Sequence, residues 1–410
     1  MVTYSTLGDL EKIERNARLY PWYIAVFNAF FWMPVFFLYF GENLGLARVL
    51  QLEGIYYAAV VVLEVPSGYI SDRFGRKTTL LGASLMLVVA YLIFFFASSF
   101  SAFAAAQVVL AAGIALNSGT DTSFHYDSLT ALGREVEYAQ REAVAARSAM
   151  LATSLSALIG GGVAAIDLRY AYGLSVIAAV AGLITVLSFT EPQSKTAAQA
   201  APFFSQLHDC FRHLRQPRLA WLFGFVVLIT ILEHIPYEFY QPYLDLLGAQ
   251  LDFSPKTALI AGVHMAIATL IGALFAHNSA RIAGRLGIAK TLLLAALLQL
   301  IIISVMGLFL NEVIVALILL REIAGGMTRA PINAAITPYI PQKQRATFLS
   351  IQSLAGRVGF SALLVGLSFS TGNIDTHTWS ALSHLLLICA GLGARGLGVL
   401  AISLWWVDVE

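Results

Sequence analysis

The chain has 410 residues, of which 58% are hydrophobic and 12% charged, and its mean hydropathy is +0.76. A soluble globular protein carries about 25% charged residues, so lipid is the solvent for most of this chain. A net charge of +1 excludes a strongly basic nucleic-acid-binding face, and two cysteines, Cys210 and Cys389, supply neither a disulfide framework nor a cysteine metal cluster, so both are read as free thiols.

The first twenty residues carry three acids and three bases without an apolar run, which argues against a cleaved secretory signal and places residues 1–19 in the cytoplasm. From there, runs of about 20 mostly apolar residues, the length that crosses a bilayer as a helix, recur in chain order. They cover 20–41, 50–70, 78–98, 102–126, 142–165, 170–189, 219–242, 256–277, 290–310, 312–334, 346–370 and 378–406. Each is too long and continuous for a barrel strand, and an open sheet edge cannot survive in hydrocarbon. The predicted class is an all-α membrane protein with twelve transmembrane helices.

Lys and Arg orient the spans. With the amino terminus inside, 17 of the 25 basic residues fall in cytoplasmic segments. Both termini are therefore expected on the cytoplasmic side of an inner membrane. The longest polar stretch, 191–218, divides a six-helix half at 20–190 from a second at 219–410. Within this linker Phe203, Phe204, Leu207, Phe211 and Leu214 share one helical face opposite Arg212 and Arg215, as in a helix lying on the inner leaflet. A plain solvated connector reads equally well.

The two halves resemble each other. Aligned at an offset of 212, Arg73-Phe-Gly75 meets Arg285-Leu-Gly287 and Thr79-Leu-Leu meets Thr291-Leu-Leu. A duplicated six-helix unit is the footprint of a secondary transporter whose halves rock about a site near mid-membrane.

Between the second and third spans the chain reads Gly68-Tyr-Ile-Ser-Asp72-Arg73-Phe-Gly75-Arg76-Lys77. This resembles the G-x-x-x-D-R-x-G-R-K loop of the major facilitator superfamily, and the 6 + 6 layout extends the resemblance over essentially the whole chain. The resemblance implies two pseudo-symmetric six-helix bundles, solute transport by alternating access and a monomer. It also implies a gating role for Gly68, Asp72, Arg73, Gly75, Arg76 and Lys77, with Asp72 docking near residues 345–349. Topology enforcement by the bases alone is the competing reading. The second-half copy lacks the acid. The sequence also departs from the family's antiporter pattern in the fifth span, where Gly160-Gly161-Gly162 stands without a proline; these glycines read first as close helix packing.

Ionisable groups inside spans are costly unless wet or paired, so each one marks a candidate site. In the first half these are Glu64 and the fourth-span series Asn117, Asp121 and His125, one helical turn apart, with Arg147 available as a counter-ion. In the second half the seventh span packs Glu233, His234, Tyr237, Glu238, Tyr240 and Gln241 around Pro236 and Pro242, whose missing N–H groups suggest an interrupted, cavity-lining helix. Glu238, Tyr240 and Gln241 read equally as residues of the outer headgroup zone. Arg321 and Glu322 lie near the middle of the tenth span. Arg357, at mid-depth in the eleventh, is expected to pair with Glu233, Glu322 or an anionic substrate group. The proton-coupling candidates are thus Glu64, Asp121, His125, Glu233, His234 and Glu322. The cavity candidates are Asn28, Asn117, Glu233, Tyr237, His264, Arg321 and Arg357, each of which can instead serve packing or a static ion pair. His125, His234 and His264 come from different helices and depths, so no metal site is predicted.

Catalytic signatures are absent from the sequence: no phosphate-binding loop, nucleophile elbow, zinc-protease motif or dinucleotide fingerprint. The expected protein is not an enzyme and needs no cofactor. It draws on an ion gradient, with protons favoured, and its partners are a small organic solute and the bilayer, not nucleic acid. Export is the slight preference over uptake of a nutrient or metal chelate, with a sensor on a transporter scaffold more remote.

Overall fold

The computed structural model describes residues 7–192, 212–340, 342–370 and 378–409, and among these no residue lies in a strand. The helices are α1 (Leu7–Phe27), α2 (Phe36–Gly41), α3 (Leu46–Phe74), α4 (Arg76–Phe96), α5 (Phe100–Asn117), α6 (Thr120–Ala131), α7 (Tyr138–Ala164) and α8 (Arg169–Ser188). They continue as α9 (Pro217–Leu251), α10 (Thr257–Leu286), α11 (Ile288–Leu308), α12 (Glu312–Ile318), α13 (Glu322–Ile336), α14 (Gln342–Ser370) and α15 (Trp379–Ser403). The amphipathic linker helix expected from the sequence lies outside the described residues.

Among the described residues, ten helical stretches are long and apolar enough to cross a membrane. The remaining two of the twelve predicted spans, the first and the tenth, are broken helices. In the first, α1 ends at Phe27 and α2 begins at Phe36, and the Ile24 carbonyl accepts from both the side-chain amide of Asn28, at 2.8 Å, and its backbone N–H, at 3.1 Å. In the tenth, a 3-10 turn at Leu319–Arg321 separates α12 from α13. The fourth span also breaks, at Gly119, whose φ of +73° is open to glycine at little cost. The seventh span corrects the expectation of an interruption: α9 runs unbroken through Pro236 and Pro242 as far as Leu251.

The duplication is visible in backbone detail. Gly75 (φ +94°, ψ 154°) joins α3 to α4, and Gly287 (φ +85°, ψ 158°), 212 positions on, joins α10 to α11 in the same conformation. Behind each, a threonine hydroxyl donates to the glycine carbonyl, Thr79 to Gly75 at 2.9 Å and Thr291 to Gly287 at 2.7 Å. The offset persists to the next helix start, where the Ser99 side chain caps α5 at Ala102 N–H and the Asn311 side chain caps α12 at Ile314 N–H. One glycine between two helices suffices because its φ reverses the chain without a Cβ clash.

Packing divides the chain into two compact units. The first comprises Met1–Leu44, Ile55–Gln199 and Ala258–Ala266; the second comprises Gly45–Gly54, Ala200–Thr257 and Ile267–Glu410. In the first, α4 packs on α5 and α8, and α1 on α7. An aromatic cluster closes one end, with Tyr39, Phe40, Phe94, Phe103 and Tyr172 all buried and their rings in mutual contact. In the second, α11 packs on α15 and α13, and α9 on α14 and α15. Glycines set the closest approaches. A Cβ on Gly161 would lie 2.6 Å from the Ala258 carbonyl oxygen in the first unit, and one on Gly326 would lie 2.5 Å from the Gly272 carbonyl oxygen in the second.

Candidate functional site

At one end of the first unit the loop motif is built around Arg76. Its guanidinium bonds Asp72 at 2.7 Å, donates to the Ser71 hydroxyl at 2.8 Å and lies 3.6 Å from Asp127 of α6. Gly68 lies within α3, and Arg73 turns outward to donate to Tyr69 at 2.9 Å. The motif has a member that the sequence pattern does not single out. The Glu191 carboxylate accepts from the backbone N–H groups of Arg76 at 2.7 Å and Lys77 at 2.8 Å, filling the open, electropositive start of α4. A Cβ on Gly75 would stand 2.9 Å from that carboxylate, so the glycine serves both the positive φ and the approach of Glu191. The one signal in the sequence is an acid just after the sixth span, which by itself reads as the start of a linker. The side chains at 345–347, where Asp72 is expected to dock, lie outside the described residues.

Inward from the motif, polar groups form a chain. Tyr23 donates to the Asn117 side chain at 2.6 Å, Asn117 donates to Asp121 at 3.2 Å, and the Thr122 N–H donates to the other Asp121 oxygen at 2.7 Å. The break at Gly119 lies inside this series, so Asn117 ends one helix while Asp121 and His125 belong to the next. Ser118, beside the break, donates to Glu64 at 3.3 Å. Buried His125 bonds Glu142 through Nδ1 at 2.7 Å and stacks on Tyr20 with ring centroids 4.0 Å apart. Its Nε2 is buried without a hydrogen-bond partner. Arg147 does not serve as the expected counter-ion: it is exposed, and Asp121 is held by neutral donors instead. The acid paired to the series is Glu142, one turn into α7, a position that carries no signal of its own in the sequence.

In the second unit Glu233 is aimed at α13. The carboxyl lies close enough to Gly325 that a Cβ there would be 3.4 Å from it, and Oε1 is buried with no hydrogen-bond partner. Arg329 is the cation whose field reaches Glu233, with Glu322 opposing it. Arg357 and Arg329 both bear on His234, whose Nδ1 contacts the Thr230 carbonyl at 2.6 Å. Arg321 is 2% exposed, lies over the Tyr240 ring at 4.4 Å and is 3.6 Å from Glu322. Gln299 of α11 donates to the Arg321 carbonyl, one of the backbone groups left open by the 3-10 turn. Tyr237 is half-buried and His264, in the first unit, is buried. Glu238, Tyr240 and Gln241 are fully buried within the protein. Among the described residues, no three of His, Cys, Asp and Glu come together as metal ligands.

Outside the spans the charges follow simple pairing. Glu137, bonded to Arg134 at 2.7 Å and to Arg141 at 2.8 Å, has its carboxyl pulled down to about 2 by these two bases. Asp167 is held low by Arg169, whereas Glu42 is pushed up, first by burial and then by Asp167. The latter two line a cavity of about 790 Å³ with Tyr39, Asn43 and Arg169, at the end of α4 opposite the loop motif.

Spans interrupted near Asn28, Gly119 and Leu319–Arg321, with ionisable groups beside the latter two, are features that membrane transporters share. The sequence profile of the Major Facilitator Superfamily matches residues 22–364, and the chain belongs to that superfamily. Its fold is similar to the crystal structure of the nucleoside transporter NupG, with a TM-score of 0.78 at 13% identity over 97% of this chain and 100% of that one. It is also similar to a point mutant of the peptide transporter POT, with a TM-score of 0.68 at 14% identity over 97% and 95%. A bacterial homologue of the human lysosomal transporter Spinster, in an inward-facing and unoccupied conformation, gives 0.67 at 15% over 96% and 95%. No curated protein sequence matches the chain.

Proposed function

We propose that this secondary transporter couples the movement of a small organic solute to protons, with Glu233 as the coupling acid and export as the direction. The observation that carries the reading is the state of Glu233: a carboxyl on a proline-bearing spanning helix, with one oxygen buried beyond reach of any donor. An ionised carboxylate left so is costly, and protonation or a cationic solute removes the cost. Asp121 and His125 stand in hydrogen-bonded contact with neighbours and offer a second proton path, through the ring whose Nε2 has no partner. Export is the direction we favour for a cationic solute: a membrane potential negative inside draws a cation inward with about 2.3 kcal/mol per 100 mV, and proton entry would drive it outward.

The test uses everted vesicles, energised to acidify the lumen and followed with a pH-sensitive dye during additions of cationic, zwitterionic and anionic compounds. Proton-coupled export gives substrate-dependent alkalinisation that Glu233→Gln abolishes. Absence of any response, with solute accumulation in intact cells, identifies an importer or a sodium-coupled carrier and overturns the reading.

A further inference from the structure

Arg395 is an exposed base on the last spanning helix, α15, ten residues before Trp405. At 1.5 Å per residue that is about 15 Å of helix. Trp405 and Trp406, both largely exposed, mark the polar boundary of the bilayer at that end. Leu392, Val399 and Ile402 share the Arg395 face and are exposed as well, so the medium around this face is hydrocarbon and not a water-filled cavity. Among the described residues the Arg395 guanidinium meets no acid, ring or hydrogen-bond acceptor, and α15 contains no Asp or Glu.

A second base joins it from the neighbouring helix. α11 packs antiparallel on α15: the Ser383 hydroxyl donates to the Gly307 carbonyl at 2.6 Å, Gly307 also abuts Leu386, and Gly393 faces Leu300. Seven residues on in one helix match seven back in the other, so Lys290, in the first turn of α11, stands level with Ser403. Lys290 shares a helical face with Leu294, Leu297 and Ile301, and all four are exposed. α11 contains no Asp or Glu either. Between Arg395 and the α11 side of α15 lie Gly391, Ala394 and Gly398, and a Cβ on either glycine would meet nothing within 4 Å. The two helices thus bound a shallow, bilayer-facing groove with one cation at depth and another at its mouth.

A guanidinium in hydrocarbon is costly without a partner, and its long stem lets it turn toward an anion that the bilayer supplies. A phosphate group fits it, because two parallel N–H groups of the fork can donate to two phosphate oxygens. Two bases without an acid favour a headgroup of net negative charge over a zwitterionic one, whose ammonium they repel. A second copy of the chain seated symmetrically on this face would bring Arg395 toward its own counterpart, with no acid on α11 or α15 to answer either charge.

We propose that Arg395 and Lys290 hold one anionic phospholipid in the leaflet at the Ser403 end of α15. Its phosphate lies on the Arg395 guanidinium and its headgroup extends toward Lys290. The bare backbone at Gly398 makes room for the headgroup, and that at Gly391 for the first acyl carbons. This lipid site is independent of the solute and of the coupling ion.

Native mass spectrometry of the purified full-length protein tests it, with titrations in detergent of dioleoylphosphatidylglycerol and, separately, of dioleoylphosphatidylcholine. The parent is expected to hold one phosphatidylglycerol more tightly than any further copy, and more tightly than phosphatidylcholine. Arg395→Leu, whose side chain suits hydrocarbon, should weaken that first binding at least about tenfold, the weight of one hydrogen bond to a charged group. Arg395→Lys should recover part of the loss, and Lys290→Gln should lose less. Arg169→Gln, which removes the same charge from the first unit, should bind as the parent does. Thermal midpoints with added phosphatidylglycerol should follow the same order, whereas without lipid Arg395→Leu should melt no lower than the parent. Equal affinity of the parent for the two lipids, parent-like binding by Arg395→Leu or an equal loss in Arg169→Gln overturns the proposal. A lower lipid-free midpoint for Arg395→Leu makes the arginine a structural residue, and a lipid-free dimer that Arg395→Leu splits gives the face to a second copy; either result overturns it too.

Discussion

In the first unit Asp121 accepts hydrogen bonds at both oxygens, Glu142 is bonded to His125, and Glu64 accepts from Ser118. In the second, Glu233 keeps one oxygen, and Glu238 both, buried without a hydrogen-bond partner. Both units come from the same duplicated plan, down to the paired turns at Gly75 and Gly287. The difference teaches that the shared scaffold does not fix the chemistry. Where donors surround an acid, its charge is already provided for and a proton adds little; where they do not, the proton becomes the missing partner.

The comparison can be broken most decisively at its two principal acids. Glu233→Gln is expected to lower proton-driven transport at least about tenfold, the equivalent of ~1.4 kcal/mol, while Asp121→Asn changes it by a smaller factor. Initial rates in vesicles at matched protein levels check this, and equal losses would erase the distinction between the units.

Packing offers the next largest effect. Gly161→Val drives a side chain into the Ala258 carbonyl, and Gly326→Val does the same at Gly272. Overpacking of this kind costs about 1–3 kcal/mol, so both variants should unfold at lower temperature and by similar amounts if the units are equally rigid. Differential scanning in detergent reads the two midpoints, and a much smaller drop for Gly326→Val would mark the second unit as the more yielding one.

Glu191→Ala removes the carboxylate from the start of α4, a change worth about 1 kcal/mol by analogy with ordinary helix caps. Its midpoint should fall by less than that of the glycine variants, while Glu191→Gln, which keeps one acceptor, should recover part of the loss. A Glu191→Ala protein as stable as the parent would show that the contact at Gly75 is incidental.

The smallest effect concerns pH. The Glu137 carboxyl is depressed in the folded protein by Arg134 and Arg141, so its contribution is complete above the ordinary carboxylate range and is lost as the pH falls toward about 2. Glu137→Gln should therefore flatten the acid limb of the stability profile and leave the neutral region unchanged. A difference confined to neutral pH would contradict the assignment.

Hydropathy alone carried the helical class, because burial in lipid demands long apolar segments, while the offset of 212 was legible in the repeated Arg-x-Gly turns, because a duplicated unit repeats its turns. The loop motif was legible too, since Asp72, Gly75 and Arg76 occur together within five residues. What hydropathy could not show is where a span breaks: the helix yields at Asn28, whose side chain bonds the Ile24 carbonyl, and at Leu319–Arg321, where Gln299 of α11 bonds the Arg321 carbonyl. The reverse error occurred at Pro236 and Pro242, where packing keeps α9 continuous despite two missing N–H groups. Partner choice was the least legible of all. Composition places Glu191 and Glu142 as scattered acids, and only the tertiary structure brings them to a helix start and a histidine. Periodicity assigns a residue to a face of its own helix, but the charge that meets it comes from residues distant in the chain, as Glu191 does at Arg76 and Lys77.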